Sequence, residues 1–96
     1  MFKVAGEGQT DCSQLNGEVI SDCSICKLAA EKLGHDLYLA ETESHYPHGC
    51  YKYVDGIYMA GSVLVYCNQH PVGGADRYAS PICKVGIPFG GKAYGG

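Results

Sequence analysis

The chain has 96 residues, a net charge of -3, six cysteines and no tryptophan, which bounds it to one small domain with a modest core. It carries no Lys/Arg cluster, so a nucleic-acid surface, which must displace counterions with basic side chains, is excluded. No apolar run reaches the roughly 20 residues a helix needs to cross a bilayer.

Residues 1–11 are Gly-rich and polar and read as a flexible lead-in. Met1-Phe2-Lys3-Val4-Ala5-Gly6 holds no apolar stretch long enough for a secretory signal, so a processed form or a fragment of a longer precursor is expected. Irregular or short-stranded chain continues to Val19-Ile20. Ser21-Asp22 then offers capping oxygens to a helix over residues 23–33, which Gly34 can close in a left-handed conformation. At 100° per residue Ile25, Cys26, Ala29, Ala30 and Leu33 share its apolar face, and the two alanines allow close approach of a sheet.

After a polar connection, Cys50-Tyr51-Lys52-Tyr53-Val54 and Ile57-Tyr58-Met59-Ala60 flank Asp55-Gly56. Asp-Gly between such runs predicts a two-residue hairpin pairing Val54 with Ile57 and Tyr53 with Tyr58. Gly61-Ser62 turns the chain into a third strand, Val63–Cys67, completing an antiparallel meander. From Asn68 onward Pro71, Pro81 and Pro88, with many glycines, predict loops and one short strand around residues 82–85. Residues 86–96 read as a Gly-rich tail or arm. The expected fold class is α+β, one helix packed on a small antiparallel meander, with residues 12–85 as the module.

Six dispersed cysteines at 12, 23, 26, 50, 67 and 83 read as a disulfide framework and an oxidising compartment. Neither Asn16 nor Asn68 opens a glycosylation sequon. The elements Cys26-x2-Ala29-Ala30-x2-Leu33-Gly34, Tyr46-Pro47-His48-Gly49-Cys50-Tyr51, Val65-Tyr66-Cys67-Asn68 and Pro81-Ile82-Cys83-Lys84 carry a resemblance over residues 12–84. They resemble a small cysteine-containing module that recurs in secreted or lumenal proteins of algae and other protists. The resemblance implies an exported, disulfide-bonded, non-catalytic domain. Cys23 and Cys67 depart from the module's pattern as two additions, which implies a Cys23–Cys67 bridge. Six cysteines allow 15 connectivities; for the other four the first choice is Cys26–Cys50, packing helix on first strand, and Cys12–Cys83, tying the ends.

Cys23-Ser24-Ile25-Cys26 also admits sharper chemistry. A Cys-x-x-Cys at a helix N-terminus favours thiolate, but no buried strand precedes it as a thioredoxin-like fold requires. A zinc site of Cys23, Cys26, His45 and His48 has suitable donors, yet the spacing is wrong for a finger and Pro47 separates the histidines. Eight tyrosines make surfaces the stronger candidates, with Tyr51, Tyr53, Tyr58 and Tyr66 as interface or ligand residues. His35, His45, His48 and His70 read as solvated loop residues, and Asp36, Glu41, Glu43 and Asp76 as surface charges. No nucleophile triad, phosphate cradle or cofactor fingerprint is present, so no cofactor is expected. The sequence thus predicts a non-enzymatic structural or interaction subunit of an extracellular or lumenal assembly, self-associating or joined to a larger complex. A glycan-binding module using a Tyr-rich sheet face is the alternative, and a redox or zinc protein the second.

Overall fold

Helix α1 (Cys23–Lys32) forms because both of its ends are satisfied locally. The Asp22 carboxylate accepts the Ser24 N–H at 2.8 Å, an N-cap that pairs one of the orphan donors of the first turn. At the other end Gly34 takes φ +81°; its N–H donates to the Glu31 carbonyl and the His35 N–H to the Ala30 carbonyl. These two bonds make a Schellman closure, which needs a left-handed residue that glycine adopts without a Cβ penalty.

The computed structural model describes residues 1–35, 37–55 and 62–86, with backbone alone at 37, 38, 55 and 62. Asp36, the expected Ile57–Ala60 strand with Tyr58, and the tail beyond residue 86 lie outside the described residues. Among the described residues six strands are formed: β1 (Phe2–Val4), β2 (Glu18–Val19), β3 (Leu37–Glu41), β4 (Pro47–Asp55), β5 (Ser62–Gly73) and β6 (Ala79–Lys84). They lie in the order β1-β6-β4-β5-β3, and β2 pairs with β6 as well. The fold is α+β with a mainly antiparallel sheet, but β3 runs parallel to β5, so the sheet is mixed and not a simple meander.

The hairpin register expected across Asp55-Gly56 is not formed. Val54 pairs with Val63 and Tyr53 with Leu64, while β6 takes the other edge of β4 at residues 51–53. Both edges of β4 are thereby occupied at residues 51–53. The physical gain is on the side-chain faces, because this register sets Cys50 directly opposite Cys67 and turns both toward α1.

Three further differences follow from pairing that local composition does not encode. Phe2–Val4, inside the expected lead-in, is a strand on β6, and Phe2 and Val4 pack against the core, so residue 12 marks no structural edge. β3 arises in the stretch read as a polar connection. β5 continues past Asn68 to Gly73, with an irregularity where Pro47 pairs with Gly73 and Gly49 with Asn68, so this part of the expected loop region is strand.

The core lies between α1 and the sheet. Cys26, Ala29 and Ala30 of the helix meet Cys50, Val65, Cys67, Ile82 and Ile20, and the alanines let the layers approach closely. The bridges are Cys12–Cys83, Cys23–Cys67 and Cys26–Cys50. The last two join residues one helical turn apart on α1 to a directly opposed pair on β4 and β5, which fixes the rotation of the helix as well as its position. Ile25 consequently stands at the border of the packed stripe and is 37% exposed, not packed inward. The outermost bridge holds a satellite cluster of Ala5, Cys12 and Cys83 with Leu15, Val19 and Val85 around it.

Gly49 is required where β4 passes the end of β2. It has φ +88°, and a Cβ there would stand 2.6 Å from the Ile20 carbonyl oxygen and 2.5 Å from Val19 Cγ1. The same carbonyl accepts the Cys50 N–H at 2.9 Å, so neither backbone can retreat without loss of that bond.

Candidate functional site

Side chains alternate across a strand, so the register that sends Cys50 and Cys67 to the helix sends Tyr51, Tyr53 and Tyr66 to the opposite face. Leu39 and Glu41 of β3 share that face by their pairing with Tyr66 and Asn68. The turn between β3 and β4 adds Glu43 and Tyr46. Together Glu41, Glu43, Tyr46, Tyr51, Tyr53 and Tyr66 line an open depression of about 390 Å³.

The tyrosines form one connected row. Tyr51 lies between Tyr46 and Tyr66, stacked on each with ring centroids 5.6 and 5.4 Å away. Tyr53 meets Tyr46 edge-on at 5.9 Å and Tyr78 edge-on at 6.2 Å. The Arg77 guanidinium caps the row, 5.4 Å above the Tyr78 ring. Stacked and edge-to-face pairs of this kind add about 0.5–1.5 kcal/mol each beyond area burial. Of the expected site residues, Tyr51 is only 1% exposed and acts as the buried centre of the row, whereas Tyr53 and Tyr66 are half-buried on its rim.

Asn68 holds the turn that supplies Glu43 and Tyr46. Its side-chain oxygen accepts the N–H groups of Glu43 and His70 at 2.9 and 3.1 Å. Its side-chain nitrogen lies 2.7, 2.9 and 3.0 Å from the carbonyl oxygens of Glu43, Tyr46 and Pro47. One buried amide therefore organises the backbone of the whole β3–β4 connection. The sequence reading missed Asn68 and Tyr46 as site residues, and left Glu41 and Glu43 as unrelated surface charges; the signal for Glu41 is the short apolar run Leu37-Tyr38-Leu39-Ala40, which is consistent with a strand that ends on it.

The electrostatics of the depression are acidic. The Tyr51 hydroxyl donates to the Glu41 carboxylate. Burial pushes the Glu41 carboxyl above its ordinary value; the Tyr51 bond opposes the shift and the neighbouring Glu43 charge adds to it. Burial also raises the Tyr51 phenol far above its ordinary value, and the bond to Glu41 raises it further. The Tyr46 phenol is raised by burial first, then by Asp76, Glu41 and Glu43.

Because the folded chain holds the Glu41 proton more tightly than the unfolded chain, the stability this gives is complete below the unfolded carboxyl value of about 4.3. It is lost as pH rises through the raised folded value. Glu41→Gln keeps an acceptor for Tyr51 and removes the titration. Urea midpoints measured at a series of pH values should show the variant gaining on the natural chain as pH rises from 4 toward neutrality. A difference that stays flat or moves the other way would contradict the raised carboxyl.

The other expected sites are placed differently. Cys23 and Cys26 belong to two separate bridges, so in this structure neither is a thiolate that could form a redox dithiol with the other or join His45 and His48 on zinc. His48 is a strand residue, its Nε2 2.8 Å from the Ser21 hydroxyl and its Nδ1 2.6 Å from the His70 carbonyl oxygen. It thus ties β4 to the start of the helix and to β5, and is not a solvated loop histidine. His70 Nδ1 in turn accepts the N–H groups of Val72 and Gly73 at 3.2 and 2.8 Å, which stabilises the irregular part of β5. No protein-family model, curated protein or solved structure matches the chain.

Proposed function

We propose that this chain is a non-catalytic structural or interaction subunit of an assembly in the extracellular space or another oxidising lumen, with the tyrosine face as its contact surface. The carrying observation is a sheet with α1 on one side and, on the other, a half-buried tyrosine row around an open acidic depression. Tyrosine offers a large amphipathic contact area at low entropic cost, which suits it to interfaces. Three disulfides support the oxidising location, since such bridges persist where thiols are not kept reduced. Residues 12–84 would then serve as one unit of the exported protist module that they resemble.

A carbohydrate is the rival occupant. It stacks on exposed ring faces, and the Tyr51 faces are taken by Tyr46 and Tyr66, which favours a protein contact. Small-angle scattering over a concentration series should show a mass that grows with concentration, and the growth should diminish in Tyr53→Ala. A monomer throughout the series would overturn self-assembly, and selective binding on a glycan array would establish the rival.

A further inference from the structure

We propose that the tyrosine and glutamate depression of one copy receives the Lys32 ammonium of helix α1 of a second copy, so that copies stack head to tail. The inference rests on the assembly reading above and assigns its contact. The depression is lined by two carboxylates and four phenol rings, with no basic side chain among the lining residues. Glu41 already accepts from Tyr51, which leaves the exposed Glu43 carboxylate as the charge available to a ligand. Carboxylates and phenol oxygens accept hydrogen bonds, and tyrosine rings attract cations. The matching occupant is a donor-rich cation, and the Arg77 guanidinium over Tyr78 is an example of that contact within the same aromatic row.

The outer surface of α1 supplies the complement. At 100° per residue Ile25, Leu28 and Lys32 lie along one exposed stripe, with Ile25 37% and Leu28 42% exposed. Lys27 is exposed too, but Glu31 follows it by four residues, a spacing at which opposite charges are neighbours on a helix. Lys32 is therefore the cation flanked by apolar groups. On the receiving side Leu39 is 55% exposed and shares the tyrosine face, so apolar surface borders the charge on both partners. The two surfaces are on opposite layers of the molecule. A contact between unlike, opposed surfaces is heterologous, and unless its rotation closes a ring it propagates from copy to copy.

The test is a charge exchange followed by sedimentation velocity. Glu43→Lys alone and Lys32→Glu alone should each weaken association at least about tenfold, because each sets like charges in the contact. An equimolar mixture of the two variants should reassemble, and beyond a dimer, because each contact between unlike variants is again complementary. Should either reversal unfold the chain, Glu43→Gln and Lys32→Gln carry the same weakening test. A natural chain that associates while the variants associate equally well would remove this contact and leave the assembly reading standing. A mixture that stays monomeric or stops at a dimer would remove it as well. A natural chain that is monomeric throughout would overturn both.

Discussion

Replacing Cys12 and Cys83 together by alanine is expected to lower the unfolding free energy by about 3–4 kcal/mol, a large part of the 5–15 kcal/mol or so that holds a small domain together. The bridge spans 71 residues of sequence, but it closes around Cys23–Cys67, which itself encloses Cys26–Cys50. With the inner bridges intact, the shortest path from Cys12 to Cys83 runs through Cys23–Cys67 and measures roughly 27 residues, so the loop entropy is that of the shorter circuit. The pair also forms part of the satellite cluster under β1 and β2, whose loosening adds a packing loss. Thermal unfolding should show a midpoint roughly 12–30 °C lower for a domain of this size. A fall of less than about 1 kcal/mol in urea unfolding would mean that β1, β2 and β6 hold without the bridge.

Asn68→Ala is expected to have an effect of similar size by a different route, about 3–5 kcal/mol, because it strands buried backbone groups. Asn68 is 1% exposed, and the change removes the partners of two N–H groups and three carbonyls. Asn68→Asp should fare no better, since it exchanges the amide donor for a carboxylate oxygen facing three carbonyls. The distinguishing readout is local. With Glu43 and Tyr46 released, the near-ultraviolet dichroism of the stacked tyrosines should fall while the far-ultraviolet backbone signal persists. Concentration-dependent association should weaken in parallel. Retention of both tyrosine dichroism and stability would show that the β3–β4 turn is held by other bonds.

The parts of this molecule legible in the sequence are those whose determinants are local. Asp22 and Gly34 bracket α1 through caps within a few residues, and Ala29 and Ala30 mark the close-packed side through spacing alone. Strand pairing was less legible because it is decided by edges that sit far apart in sequence. Asp55-Gly56 predicts a tight hairpin on local grounds, but β4 gains more by opposing Cys50 to Cys67 and by taking β6 on its second edge. Phe2–Val4 becomes a strand because β6 offers it an edge some 80 residues later. The tyrosine face was legible as a composition and not as a site: Tyr51 and Tyr53 could be placed on one side by alternation, whereas Tyr46, Glu43 and the Asn68 amide meet only after the β3–β4 turn is folded.

The nesting of the three bridges also determines how the chain answers a pull. Tension applied to segments on either side of residues 12 and 83 passes from one to the other through the Cys12–Cys83 sulfurs, a covalent bridge that sets the two Cα atoms 5.7 Å apart. Everything enclosed, including α1, both inner bridges and the tyrosine row, lies off that path and carries no load. Only the residues outside the outer bridge can lengthen, by at most about 3.3–3.6 Å each. A string of such units would therefore lengthen only in the links between outer bridges under oxidising conditions, and a reductant that opened all three bridges would add the 71-residue interval to the length that can be drawn out.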